Sequence, residues 1–208
     1  MEELGKIFDS SARVKIMRLF ILNESTPFVM ADITKRTQLA APLARKEVRL
    51  LLKTGFLSSK NFTEEVTLKT KAKTGKVVVK KKKASGWVLN KKFPLVEPLR
   101  TLLIESELIR TKDLPHRFKA SGNLKLLVLS GIFVKDNNRK LDMLIVGEKM
   151  DKNRLEKVMK TIESEIGKEL RYSVFTPEEF TYRMNMYDRL ILDIFDYPHQ
   201  RIIDRIKK

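Results

Sequence analysis

Apolar residues recur at helical spacing through the first quarter of the chain. Val14, Met17, Phe20 and Ile21 share one side of a segment that Asp9-Ser10-Ser11 can cap, so the pattern predicts a helix to about Asn23. Pro27 interrupts it. A short helix from Met30 to Arg36 follows, with Ile33 inward. Thr37 to Pro42 then breaks the pattern and places a proline for a first helical turn. A third helix runs to Lys53 with Val48, Leu51 and Leu52 inward, and it stops at Thr54-Gly55. Phe56-Leu57 opens an extended segment, and Gly86-Trp87-Val88-Leu89-Asn90 alternates as its return. Two strands with a long tip between them are expected.

The second half changes rhythm. Phe93 to about Glu107 reads as a helix with Leu99, Leu102 and Leu103 on one side, which either bridges the halves or pairs with its copy in a homodimer. A short helical piece lies near Leu114 to Lys119. Leu124–Leu129 and Leu141–Val146 are short apolar runs, expected as buried strands. Asp151 to Ile166 is amphipathic, with Leu155, Val158, Met159, Ile162 and Ile166 inward and Gly167 past its end. Tyr172–Phe175 is a third strand. Thr176-Pro177-Glu178-Glu179 is a capping box, and the helical pattern it opens continues through Leu190, Ile191, Ile194 and Phe195 to Pro198. The expected fold class is α+β in two domains. Residues 1–92 form a helical domain with a hairpin, 93–107 a linker helix and 108–208 a small α/β layer domain.

Charge separates the halves. The net charge is +17, yet residues 1–92 hold 21 Lys and Arg against 8 acids, while 93–208 hold 22 against 18. Such asymmetry points to a polyanion partner for the first half, and nucleic acid is the default one. From Val66 to Pro94 there is no acid. Lys69, Lys71, Lys73, Lys76, Lys80, Lys81, Lys82 and Lys83 place eight lysines in fifteen residues. Lys69, Lys71 and Lys73 alternate, Lys76 sits in the turn at Thr74-Gly75, and such a run gains stability only when a polyanion neutralises it. On the third helix Arg45, Lys46, Arg49 and Lys53 are polar positions, and Arg45, Arg49 and Lys53 step by four along one side.

Two short helices joined by a tight turn, the second basic on its open face, fit a helix-turn-helix, and the following strands fit a wing. An ordinary three-helix core with a solvated basic face and a solvated lysine loop is the plainer reading of the same residues. Lysine in the wing argues for phosphate contact, and arginine on the helix suits guanine edges. No cysteine is present, which excludes disulfides and thiolate metal sites and suggests a reducing cytoplasm. His116 and His199 are read as structural or surface residues. No apolar run approaches the roughly 18 residues a bilayer needs. Met1 to Asp9 lacks a signal-peptide layout. No membrane partner, metal or cofactor is expected.

Residues 5–107 resemble the winged helix domains of ArsR-like regulators. The resemblance rests on Ala12-Arg13-Val14-Lys15-Ile16-Met17-Arg18-Leu19-Phe20, Lys53-Thr54-Gly55-Phe56-Leu57 and Gly86-Trp87-Val88-Leu89-Asn90. It implies a winged helix-turn-helix that binds duplex DNA. Pro42-Leu43 departs from the Ser or Thr that many relatives carry at the start of the recognition helix.

Residues 108–204 resemble the minimal nucleotidyltransferase-like domains. That similarity is carried by Leu127-Val128-Leu129-Ser130-Gly131-Ile132-Phe133, Lys140-Leu141-Asp142-Met143-Leu144-Ile145-Val146-Gly147 and Val174-Phe175-Thr176-Pro177-Glu178-Glu179-Phe180. In active members a Gly-Ser pair holds the phosphate and three acids serve the metal ions. Here the corresponding positions read Gly131-Ile132, Lys140 with Asp142, and a strand offering Arg171. One carboxylate of three survives, so the domain is expected to be no enzyme. It would instead serve as a dimerisation, partner-binding or ligand-sensing module.

The expected function is a cytoplasmic DNA-binding transcription regulator, with duplex DNA as partner and a homodimer or a protein partner of the C-terminal domain beside it. A nucleotidyltransferase or nucleotide-binding protein, and an RNA- or ribosome-associated binder, are the alternatives.

Overall fold

Residues 2–69, 77–105 and 111–206 are described in the computed structural model; Lys71, Lys73 and Lys76 lie outside them, as do the side chains of Lys69 and Lys80. The chain is α+β and divides into two units, Glu2–Arg100 and Thr101 onward. The division falls inside the segment 93–107 that the pattern reads as one linker helix. There a short α-helix ends at Arg100 and a π-helical turn occupies Thr101–Glu105.

In the first unit, α1 (Glu2–Ile7), α2 (Ser11–Leu22), α3 (Met30–Thr37) and α4 (Ala41–Lys53) precede a hairpin of β1 (Leu57–Lys69) and β2 (Val77–Leu89), and α5 (Val96–Arg100) follows. The pattern does not foresee α1, a six-residue helix whose apolar residues are only Leu4 and Ile7. Ser10 caps α2, accepting the Arg13 N–H at 3.1 Å. Helix α2 is central. The run from Ile16 to Ile21 is buried throughout, including Arg18, because α1, α3, α4 and β2 all pack against it. The spacing indicates a single buried side, and the structure corrects this to burial nearly all round. Gln38, in the left-handed region at φ 53°, ends α3 and turns the chain into α4 within three residues.

The strands pair antiparallel from Leu57↔Leu89 to Lys69↔Val77. The expected long tip is therefore mostly paired ribbon. The base of the ribbon is fixed by a bridge in which Phe28 and Trp87 exchange two N–H···O bonds of 2.9 Å. Gly86 permits that approach, since a Cβ there would overlap the Phe28 carbonyl. Phe20 meets Phe28 edge to face at 5.6 Å, tying the bridge to the core of α2.

The second unit runs α6 (Leu114–Phe118), β3 (Asn123–Leu129), β4 (Met143–Glu148), α7 (Lys152–Ile166), β5 (Tyr172–Phe175), α8 (Pro177–Asn185), α9 (Arg189–Phe195) and β6 (Gln200–Asp204). The sheet order is β5-β4-β3-β6. Neighbours β4 and β5 are parallel, with α7 as their crossover, and the other pairs are antiparallel. Leu126, Val128, Leu144 and Val146 face a core completed by Phe180, Ile191 and Ile194 from α8 and α9. Leu127, Leu129, Met143 and Ile145 alternate to the other face and are equally buried. There α6 packs on β3 and α7 on α6. The single helix expected from Pro177 to Pro198 is two helices. The chain turns at Tyr187, φ 54°, and Asp188 restarts it by capping the Leu190 N–H at 2.8 Å.

Candidate nucleic-acid interface and the sheet end around Asp142

Helix α4 has one buried and one open side. Ala44, Glu47, Val48 and Leu51 are buried, Leu52 is half-buried, and Pro42, Leu43, Arg45, Lys46, Arg49, Leu50 and Lys53 are exposed. All four basic residues of the helix thus share its open arc, and its only acid, Glu47, points inward. The open side borders a shallow groove of about 580 Å³, with Arg13 on its far wall.

Glu47 is 2% exposed and sits on an otherwise apolar inward face. Burying a carboxylate is costly unless it is hydrogen-bonded and paired. Here Oε1 accepts from Ser10 Oγ and Oε2 from Arg13 Nε, both at 2.8 Å. Arg13 also donates Nη1 to the Phe8 carbonyl at 2.7 Å. One carboxylate therefore pins the middle of α4 to the N-terminal cap of α2. Periodicity and motifs do not reveal this trio. Its only signal is an acid at a position where the 3.6-residue period calls for an apolar side chain.

The four consecutive lysines lie on β2, not in a loop, and Lys81, Lys82 and Lys83 alternate between the two faces of the ribbon. The register places Lys81 opposite Glu65 and Lys82 opposite Glu64, whereas Lys80 lies opposite Val66 and Lys83 opposite Thr63. Lys81, Lys82 and Lys83 are exposed. The four lysines are not equivalent, because β1 sets acids across from the middle two.

In the second unit, the ends of β3 and the beginnings of β4 and β5 meet at Asp142, which is 1% exposed. Its Oδ1 accepts from the Ile132 N–H at 3.0 Å and Arg171 Nη2 at 3.0 Å. Its Oδ2 accepts from the Arg171 N–H at 2.9 Å and Arg171 Nε at 3.1 Å. A carboxylate offers about four lone-pair sites, and four N–H donors fill them. Burial would push the Asp142 carboxyl up. The Arg171 side chain, with the backbone donors of Arg171 and Ile132, outweighs burial and holds it below the ordinary range. Its partner Arg171 is raised, mainly by the same hydrogen bonds. Gly131 sits at φ +54°, and a Cβ there would overlap Asp142 Oδ1, so glycine is what lets the carboxylate reach the Ile132 N–H.

Lys140 is exposed. Its backbone N–H donates to Asp193 Oδ2 at 3.1 Å. Beside it Arg139 lies over the Tyr197 ring at 3.5 Å, with Asp136 at 2.8 Å. Gly131, Lys140 and Asp142 are thus neighbours at one sheet end. Asp142 there is the buried half of an ion pair, not an open ligand. Among the described residues no three of His, Asp and Glu gather as a metal site, and no helix is long and apolar enough to cross a membrane.

Compared with known protein families, with curated proteins and with solved structures, the chain matches none.

Proposed function

We propose that the chain is a DNA-binding transcription regulator. Its first unit acts as a winged helix-turn-helix, with α3 and α4 as the helix pair and β1–β2 as the wing. The observation that carries this reading is the open arc of α4. Arg45, Lys46, Arg49 and Lys53 share it, no acid lies on it, and Glu47 behind it fixes the helix to the core. A helix so presented fits the major groove, where arginine meets guanine and lysine meets phosphate. The Phe28–Trp87 bridge supports the wing assignment, because it adds a one-residue third edge to the hairpin and leaves β2 between Phe28 and β1. Lys60, Lys81, Lys82 and Lys83 extend the cationic surface along the ribbon.

The second unit keeps a nucleotidyltransferase-like layout without its metal chemistry. A saturated Asp142 supports this, since a divalent ion would have to displace Arg171. We assign the unit to a protein partner. Tyr182, Met186 and Tyr187 are 66%, 64% and 77% exposed around one turn, and aromatic residues and methionine are enriched at interfaces. The absence of cysteine supports a reducing cytoplasm as its place of action.

The test is titration of the full chain onto short duplexes over a range of salt. If six to eight of these cations meet phosphates, log K against log salt falls with a slope of roughly −5 to −7. A slope flatter than about −2, or equal competition by structured RNA, refutes the proposal.

A further inference from the structure

The exposed arc of α4 is not uniformly basic. Leu43 and Leu50 lie on it, 41% and 38% exposed. They are seven residues apart, which brings them within about 20° of each other around the helix and separates them by roughly 10 Å along it. They form one edge of the arc, beside the inward-turning Glu47, and Arg45, Lys46, Arg49 and Lys53 form its centre. A single exposed leucine needs no explanation. Two in line, on a helix face that gathers four cations and no acid, form an apolar rail along a polyanion-binding surface.

Base chemistry offers a partner for that rail. Within the major groove, guanine presents O6 and N7 as acceptors, and thymine alone presents a methyl group. Guanidinium groups at Arg45 and Arg49 complement the first, and isobutyl groups complement the second. Phosphates offer Leu43 and Leu50 nothing. We propose that α4 selects duplexes in which thymines adjoin guanines, with Leu43 and Leu50 as the thymine-reading residues. This rests on the DNA-binding reading above and adds to it which base feature the apolar positions recognise.

The full chain is titrated with a 20-base-pair duplex of alternating dG-dT paired with alternating dA-dC. A second duplex has every thymine replaced by uracil, which removes only the methyl groups. One buried methyl corresponds to about fourfold in affinity and two to roughly fifteenfold. The wild-type chain is expected to bind the thymine duplex tighter by that range. The Leu43→Ala/Leu50→Ala variant, changed only at exposed positions, should still bind but lose the difference. Equal affinity of the wild type for the two duplexes overturns the inference and leaves DNA binding standing. A thymine preference that persists in the double variant also overturns it, since another group then reads the methyl. Absence of salt-sensitive binding to either duplex overturns the DNA-binding reading itself.

Discussion

Arg171→Ala removes half of the donors on a carboxylate that water scarcely reaches. Asp142 is 1% exposed at its side chain, and without the guanidinium only the Ile132 and Arg171 N–H groups remain. Breaking a fully buried pair costs about 3–5 kcal/mol, but the Arg171 side chain is 43% exposed and water can refill its place. We therefore expect a loss of about 2–3 kcal/mol. Urea unfolding followed by circular dichroism measures it. Trp87, the only tryptophan, belongs to the first unit and serves as an internal control by fluorescence. The pH dependence has a definite sign. A carboxyl held below its ordinary value of 3.8 contributes fully above that value, and the contribution is lost as pH falls through the depressed one. In the variant, burial is opposed only by two backbone donors, so the carboxyl rises and the folded state tolerates its protonation. The gap between wild type and variant should be steady from about pH 5 to 8 and narrow below 3.8. A loss under about 0.5 kcal/mol at pH 7, or a gap that does not change down to about pH 3, would refute the role given to this pair.

Three further outcomes follow from the same geometry. Replacing Lys80 and Lys83 by Ala should reduce the salt slope of duplex binding by nearly 2, at about 0.9 per phosphate contact, and replacing Lys81 and Lys82 by less, because Glu65 and Glu64 lie opposite them; equal slopes in the two variants would discount the register effect. Glu47→Ala should cost about 2 kcal/mol in the Trp87 fluorescence transition, since Arg13 and Ser10 lose their shared acceptor, and it should weaken duplex binding beyond the stability loss; unchanged binding would show that α4 does not depend on this pin. No nucleoside triphosphate, with Mg²⁺ or Mn²⁺, should transfer label to the chain or to added RNA, and any metal-dependent transfer would restore the enzyme reading.

Elements whose stability is local were legible in the sequence. Helix α7 is the clearest, with Leu155, Met159, Ile162 and Ile166 at helical spacing, Asp151 capping the Asn153 and Arg154 N–H groups, and Gly167 in the left-handed region at its end. Helices α2, α3 and α4 and strands β3, β4 and β5 likewise follow their periodicity. Strand β6 was not legible. Gln200–Asp204 has two adjacent apolar residues and no alternation, and it is a strand because β3 offers it an edge. The break at Tyr187 was hidden because a left-handed tyrosine has no sequence signature of the kind glycine gives. The acids and bases of the sites were visible as residue types, but their pairings were not. Arg171 lies 29 positions from Asp142 and Arg13 lies 34 from Glu47, and only the fold decides which charges meet.

The way the ribbon is moored has a consequence for how such a chain can vary. Its base is held by the Phe28–Trp87 bridge and by buried Leu57 and Leu89, whereas Lys60, Asn61, Thr63, Lys81 to Lys83 and Ser85 beyond it are exposed. Side chains alternate with period two, so losing or gaining one cross-strand pair exchanges which residues face each side and leaves the base untouched. Two pairs restore the original facing. Length and charge of the arm can thus drift over generations in paired steps, without selection on the core noticing. The moored end cannot drift, since a side chain at Gly86 would separate the ribbon from the helices it serves.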